Sequence, residues 1–199
     1  MTALKLTKSE LRTQQVRLQQ LQRYLPTLQL KKAMLQIEVN NATLEVDSVR
    51  QEREAKQAAV EPFSALLEEK VACDVLSCAR VQHVLKRYEN IAGVEIPIFE
   101  RVVFRPPDYF LFDTPAWTDA AVEQVREVVI AIERLIIAQE KKRALEKELR
   151  DVSIRVNLFE KVLIPRSIEN IKKIKVFLGD QQLAAVAQAK VTKRKLVRQ

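Results

Sequence analysis

One histidine, His83, and two cysteines, Cys73 and Cys78, are the side chains here best suited to metal binding or nucleophilic chemistry. A tetrahedral metal site asks for several such ligands, and a Ser-His-Asp arrangement needs a histidine between a nucleophile and an acid. A lone histidine in the strand-like stretch VQHVLKRY meets neither demand and reads as structural. On a shared helix the two thiols would point roughly 140° apart, so they read as inert rather than as a metal or redox pair. Gly93 and Gly179 are isolated, whereas a phosphate-cradling loop needs clustered glycines so that backbone N–H groups can approach the anion. Glu133, Glu146 and Glu160 recur among basic neighbours at helical spacing. That pattern makes a solvated face with i,i+4 pairs, not a general acid and base. The sequence therefore predicts a non-enzymatic chain, with no catalytic, cofactor-binding or metal-binding residues and no cofactor.

The elements that would position these residues are long. Two glycines in 199 residues, 30% charged and 6% aromatic residues favour extended helices over short elements joined by turns. A hydrophobic share of 47% is too high for wholesale disorder. No apolar run approaches the roughly 18 residues of a membrane span, and MTALKLTKSELRTQQ lacks an apolar signal core, so a cytoplasmic location is expected. The net charge of +8 is unevenly spread: residues 1–32 carry +6, residues 180–199 carry +4, and the middle is close to −2.

Positions 4, 11, 18, 25, 32, 39 and 46 read Leu, Leu, Leu, Leu, Lys, Val, Val, and positions 21, 28, 35, 42 and 49 read Leu, Leu, Leu, Ala, Val. The two series alternate by three and four, the a/d spacing of a coiled-coil seam. They predict a first helix over about 3–60, loosened at its start by Thr7 and Gln14, kinked at Pro26 and ended near Pro62. A second series runs through Val125, Val129, Ile132, Leu135 and Ile136, then Leu145, Leu149, Val152, Val156, Phe159 and Leu163. It resumes after Pro165 at Ile168, Ile171, Ile174 and Leu178, predicting a helix over about 118–195 opened by Thr118-Asp119 and weakened at Gly179. Neither stripe can be buried alone, so the two helices are expected to zip antiparallel.

The segment between them differs. Residues 63–80 still read as helical, but the stretch that follows holds most of the prolines and aromatics. Val94, Ile96, Ile98, Val102, Val103 and Phe104 favour strand, and 90–93 can turn, so a small β-hairpin is expected over 81–104, followed by an irregular Pro-rich loop. The expected fold is thus mainly α, a long antiparallel two-helix coiled coil with a small central β-hairpin. Its three segments are 1–62, 63–117 and 118–199. Expected seam residues are Leu18, Leu25, Leu149, Val156 and Phe159. The two ends together would form a basic tip from Lys5, Lys8, Arg12, Lys190, Lys193, Arg194 and Lys195.

Three blocks carry a family resemblance. RVNLFEKVLIPRSIENIKKIKVFL (155–178) has Arg155, Val156, Asn157, Phe159 and Glu160, then Ile164-Pro165, Ile168 and Ile171; ENIAGVEIP (89–97) lies in the centre, and LTKSELRTQQVRLQQLQ (6–22) opens the first helix. Together they resemble the D subunits of V-type and A-type rotary ATPases, the family that forms the central rotor stalk. Where family members carry a Glu/Arg-rich run after the Ile-rich segment, this chain reads GDQQLAAVAQAK, which suggests a divergent, bacterial V-type branch. The resemblance implies a non-catalytic shaft threading a hexamer of catalytic A and noncatalytic B subunits. It also implies pairing with the F subunit of the central stalk and a foot on the funnel-shaped subunit of the membrane ring. No direct nucleotide, no nucleic acid and no membrane insertion are implied, and the chain would be peripheral to the membrane. Pro26 and Pro165 would then bend the shaft at nearly the same height, so that it presents different faces to different catalytic sites. Two rivals stay open on the residues alone. One is a scaffold coiled coil of another family; the other is a basic coiled coil that binds nucleic acid with a steep salt dependence.

Overall fold

The computed structural model describes residues 4–63, 75–106, 115 and 117–197. The helical reading of 63–80, the Pro-rich loop and Cys73 fall largely or wholly outside those residues. The elements are α1 (Lys8–Val60), a 3-10 turn (Glu61–Phe63), a one-turn α2 (Val75–Cys78), β1 (Val81–Ile91), β2 (Val94–Phe104), α3 (Thr118–Leu158), a π-helical turn (Phe159–Leu163) and α4 (Ile164–Val197). The chain is mainly helical with one two-stranded antiparallel sheet, as its heptads and β-branched centre predict. It forms two compact units, residues 33–150 (the hairpin unit) and residues 1–32 with 151–199 (the terminal unit).

In the hairpin unit, α1 contributes buried Leu35, Val39, Ala42 and Val46, and α3 contributes Ala131, Leu135, Ala138 and Leu145. Ion pairs set the direction. Glu45 meets Lys141 at 2.7 Å, Glu52 meets Arg134 at 3.3 Å and Lys56 meets Glu127 at 3.4 Å. Numbers rise along α1 while they fall along α3, so the helices run antiparallel. The sequence series places Ile132 and Ile136 on the buried stripe, yet both are exposed, and Ala131, Ile137 and Ala138 are buried instead. The stretch VVIAIERLIIA is apolar on nearly every face, so periodicity alone cannot choose the covered one. The hairpin decides it, since Pro97, Ile98 and Phe99 line one cleft with Ile137 and Ala138.

The β-hairpin spans 81–104, with Ile91 opposite Val94. Its two-residue turn has positive φ at both Ala92 (52°) and Gly93 (81°), which matches the twist of the flanking strands. The Gly93 N–H donates to Asn90 Oδ1 at 2.9 Å. The base of the hairpin is fastened by Arg126, whose Nε and Nη2 donate to the Cys78 carbonyl at 3.1 and 2.8 Å. The same guanidinium lies 5.1 Å from the Phe104 ring centroid, and Arg134 lies 5.2 Å from that of Phe99. Each is a cation–π contact worth about 0.5–1 kcal/mol at exposed sites. Thr118 is the first residue of α3. It is fully buried, and its Oγ1 has no partner among the described residues. Backbone bonds run at this start from Thr118 N–H to the Pro115 carbonyl and from Ala121 N–H to that of Trp117.

In the terminal unit the helices also run in opposite directions. Leu6 shares a groove with Val176 and Phe177, while Gln14 and Arg17 share a cleft with Leu163 and Ser167. Just before Ser167 the second helix changes its winding. Ile164 N–H donates to the Phe159 carbonyl, five residues back, and the turn Phe159–Leu163 is π-helical. Pro165 gives the reason. In a regular α-helix its ring would collide with the Lys161 carbonyl, and it has no N–H to donate. The wider turn gives the ring room and holds one extra residue. The inward series reads 152, 156, 159, 163, 167, 171, 174, 178, all buried or half-buried. Its steps are 4-3-4-4-4-3-4, one residue longer than strict heptads. This corrects the sequence reading at one position: Ser167 is buried and Ile168 is 49% exposed.

Candidate functional site

Among the described residues no cluster of His, Cys, Asp or Glu could hold a metal, and no helix is long and apolar enough to cross a membrane. His83 is exposed on β1 opposite Val103. Cys78 is buried against Ala121 and Val122 under Trp117 and Val125. Glu146 pairs with Lys142 one turn away on α3 at 3.8 Å, and Glu133 and Glu160 lie on helical surfaces. Among the described residues, the side chains with catalytic or metal-binding chemistry are therefore not brought together.

Of the expected seam residues, Val156 is buried at 4% exposure, and Leu18, Leu25, Leu149 and Phe159 are half-buried. The deeper positions are Leu21, Leu35, Leu145, Val152 and Ile174, with Gln14 and Ser167 as polar members. Gln14 does not loosen the opening turns by exposure. It is buried, and its Nε2 donates to Glu10 Oε1 at 2.8 Å. Pro26 is exposed inside α1, which continues unbroken through it. Pro165 is exposed in the first turn of α4. The two prolines are not at one height. Residues beside Pro165 face Gln14 and Arg17, and Pro26 lies nine residues further along α1, roughly 14 Å away at 1.5 Å per residue.

The basic residues separate in the same way. Lys5 lines the cleft with Arg166 and Asn170, and Lys8 and Arg12 are exposed on the first turns of α1. Leu6 reaches as far as Asp180 on α4, whereas Lys190, Lys193 and Arg194 lie ten or more residues beyond Asp180, on the order of 15–20 Å along the helix axis. Lys195 belongs to α4, but its side chain is outside the described residues. Every residue from 181 to 194 is exposed, including Leu183 at 71% and Val186 and Val191 at 54%. This run spans roughly 20 Å of helix. The signal was present in the sequence as apolar residues beyond Leu178, where the inward series ends.

The cleft beside the π turn holds about 470 Å³ and is lined by Lys5, Arg17 and Arg166, with Glu10, Gln14, Ser167 and Asn170, closed by Leu4 and Leu163. Thr7 caps the start of α1 nearby, its Oγ1 accepting from Glu10 N–H at 3.2 Å. Sequence reasoning missed this cleft because its polar members occupy positions where the heptads call for apolar residues.

The chain matches the profile of the family described as the ATP synthase D subunit over residues 10–194. It is 44% identical to the V-type ATP synthase D subunit of Chlamydia caviae over 194 residues, covering 97% of this chain and 93% of that one. It is 45% identical to the protein of that name from Chlamydia trachomatis serovar L2, over 97% of this chain and 96% of the relative. With the Chlamydia pneumoniae protein of the same name it shares 40% identity, over 97% and 93%. A profile match across nearly the whole length, with relatives at this identity over almost their full extent, means that the chain belongs to the family of ATP synthase D subunits.

Proposed function

We propose that this chain is the central rotor shaft of a V-type ATPase. It would transmit torque between a hexamer of catalytic A and noncatalytic B subunits and the membrane ion-translocating ring, and so couple ATP hydrolysis or synthesis to ion transport. It would pair with the F subunit of the stalk and meet the funnel-shaped subunit on the ring, without an active site of its own and without entering the membrane. The observation that carries this reading is the bare helix over 181–194. Helices this short are marginal in water without a packed face, and this one presents Leu183, Val186 and Val191 to solvent. A sleeve formed by other subunits would supply the missing cover.

Two further features support a shaft. Paired helices locked by a Leu/Val/Ile seam resist twisting, because sliding disrupts many packed side chains at once. The π turn and Pro165 break the repeat of the second helix, so its surface differs above and below them. A rotor inside a threefold housing needs such irregularity to push differently on each site.

Co-expression of the full chain with the A, B and F-type subunits of its own enzyme tests the proposal. The expected result is a complex with one copy of this chain per hexamer, lost when the chain is cut after Asp180. A full chain that elutes alone in the presence of all three partners would overturn the reading. Binding instead to duplex DNA, with log–log salt slopes near −0.9 per phosphate contacted, would favour the nucleic-acid rival.

A further inference from the structure

We propose that the polar cleft beside the π turn is an oxyanion site that takes a small phosphate-type dianion. Four observations converge there. The first is charge: Lys5, Arg17 and Arg166 line one cleft with a single carboxylate, that of Glu10. Glu10 is already engaged, accepting from Gln14 Nε2 at 2.8 Å. The three cations make no ion pair among the described residues. Two arginines and a lysine around one opening are the usual donors for phosphate oxygens, arginine through paired N–H groups and lysine as a point charge.

The second observation is a polar layer in an apolar seam. The inward series of α1 runs from Gln14 to Leu21 and that of the second helix from Val156 to Ser167 and Ile174, so Gln14 and Ser167 replace apolar residues and meet in the same cleft. Burying polar groups in a helix seam costs stability unless they are satisfied. The third is Ser167 itself. It is 4% exposed and lines the cleft, and its hydroxyl has no hydrogen-bond partner among the described residues. A serine in mid-helix ordinarily turns its hydroxyl back to a carbonyl one turn earlier or out to solvent; this one is available to a bound oxygen. The fourth is the winding. The π turn at Phe159–Leu163 adds one residue to the repeat, so that Ser167 lies in the seam where strict heptads counted from Leu163 would place Arg166. Such turns frequently sit at functional sites.

The site's net charge of about +2 from these side chains suits a dianion. Among the described residues its lining has no aromatic ring on which a base could stack, so recognition stops at the phosphate group. Inorganic phosphate, pyrophosphate and the phosphates of a nucleotide share the recognised chemistry. The inference stands apart from the rotor reading, and the isolated full chain suffices to test it.

The experiment is a titration of the full chain with inorganic phosphate, pyrophosphate and ATP at constant ionic strength, followed by NMR shifts and calorimetry. The expected result is saturable binding centred on residues 5–17 and 163–170, with pyrophosphate and ATP alike in affinity. Arg166→Gln should weaken it about tenfold or more, the loss expected for one charged hydrogen bond. Ser167→Ala should weaken it several-fold while raising thermal stability, because alanine is the better helix former. Lys190→Gln removes the same unit of charge from the exposed end of α4 and should leave binding unchanged. No saturable shift at these residues would overturn the proposal. So would equal weakening by Lys190→Gln and Arg166→Gln, which marks diffuse charge attraction, or unaltered binding in Ser167→Ala with Arg166→Gln. Much tighter binding of ATP than of pyrophosphate would overturn the assignment to the phosphate group alone.

Discussion

The hairpin unit and the terminal unit solve the same packing problem with different means. In the hairpin unit the two helices keep even heptads, Ala131, Ala138 and Leu145 being seven residues apart. Charges cross between the helices at Glu45–Lys141, Glu52–Arg134 and Lys56–Glu127. Arg134 and Lys86 tie the hairpin to the same helix, Lys86 through Glu140 at 2.7 Å. In the terminal unit the seam carries polar Gln14 and Ser167, the second helix holds an extra residue, and its last turns are uncovered. One unit is fastened by specific cross-helix pairs. The other keeps a continuous seam only by altering the winding of the backbone. The difference teaches that an irregular turn can be what preserves packing, not what interrupts it.

The strongest way to break that comparison is to change chain length by one residue. Deleting exposed Val162 together with Pro165→Ala removes the surplus residue and the ring that requires the wide turn. Regular heptads then connect Val156 to Ser167, and the variant should keep its helical circular dichroism and a cooperative urea transition. Deleting exposed Ile154 instead adds a discontinuity between Val152 and Val156, where no wide turn compensates. It should lose several kcal/mol, in the range of about 2–5 kcal/mol for one misplaced core side chain. Equal damage from both deletions would mean that the π turn has no role in register.

Point substitutions sharpen the same claim. Ile174→Ala removes a side chain with no solvent exposure and should cost about 2–5 kcal/mol in urea unfolding. Ile168→Ala, at a position 49% exposed, should cost under about 1 kcal/mol. The apolar series read from the sequence, Ile168, Ile171, Ile174 and Leu178, ranks the two alike, so a large loss at Ile168 would restore that reading.

The sequence made the two long helices and the hairpin legible, since six heptads and a β-branched stretch around 90–93 are strong, redundant signals. The end of α1 at Val60 and the start of α3 at Thr118 follow from Pro62 and the apolar series. What stayed hidden depends on pairing across distance. Pro165 announced a break, but not that the helix would widen and carry Ser167 inward. Ile132 and Ile136 looked like core because nothing in their own helix says which face the hairpin covers. The basic residues of the two ends looked like one tip, because charge counting fixes neither the length of α4 beyond Leu6 nor its uncovered turns.

Smaller in effect is the cross-helix pair of the hairpin unit. The Lys141 side chain is 18% exposed and that of Glu45 48%, at 2.7 Å. A double-mutant cycle with Lys141→Gln and Glu45→Gln should give a coupling of about 0.2–1 kcal/mol, shrinking in high salt. A coupling of zero at low salt would remove ion pairing from the reasons this unit holds its register.

The smallest expected effect belongs to the terminal unit, where the ion pair lies within α4. Glu169 Oε1 meets Lys173 Nζ at 2.7 Å, one turn away, with both side chains more than half exposed at 63% and 60%. The hydrogen bond from Lys173, and then its charge, lower the carboxyl below its ordinary value. A carboxyl whose pKa falls on folding contributes stability at pH above its unfolded pKa, and loses it as pH drops through the lowered, folded value. A carboxyl-detected NMR titration should therefore place Glu169 below the usual glutamate range, with Lys173→Gln returning it to that range. The pair faces water, so this shift should fade with added salt while the unfolding midpoint hardly moves. An unshifted Glu169 carboxyl, titrating alike in the parent and in Lys173→Gln, would show that the pair does not form in solution. The terminal unit would then depend on its altered winding and its seam alone.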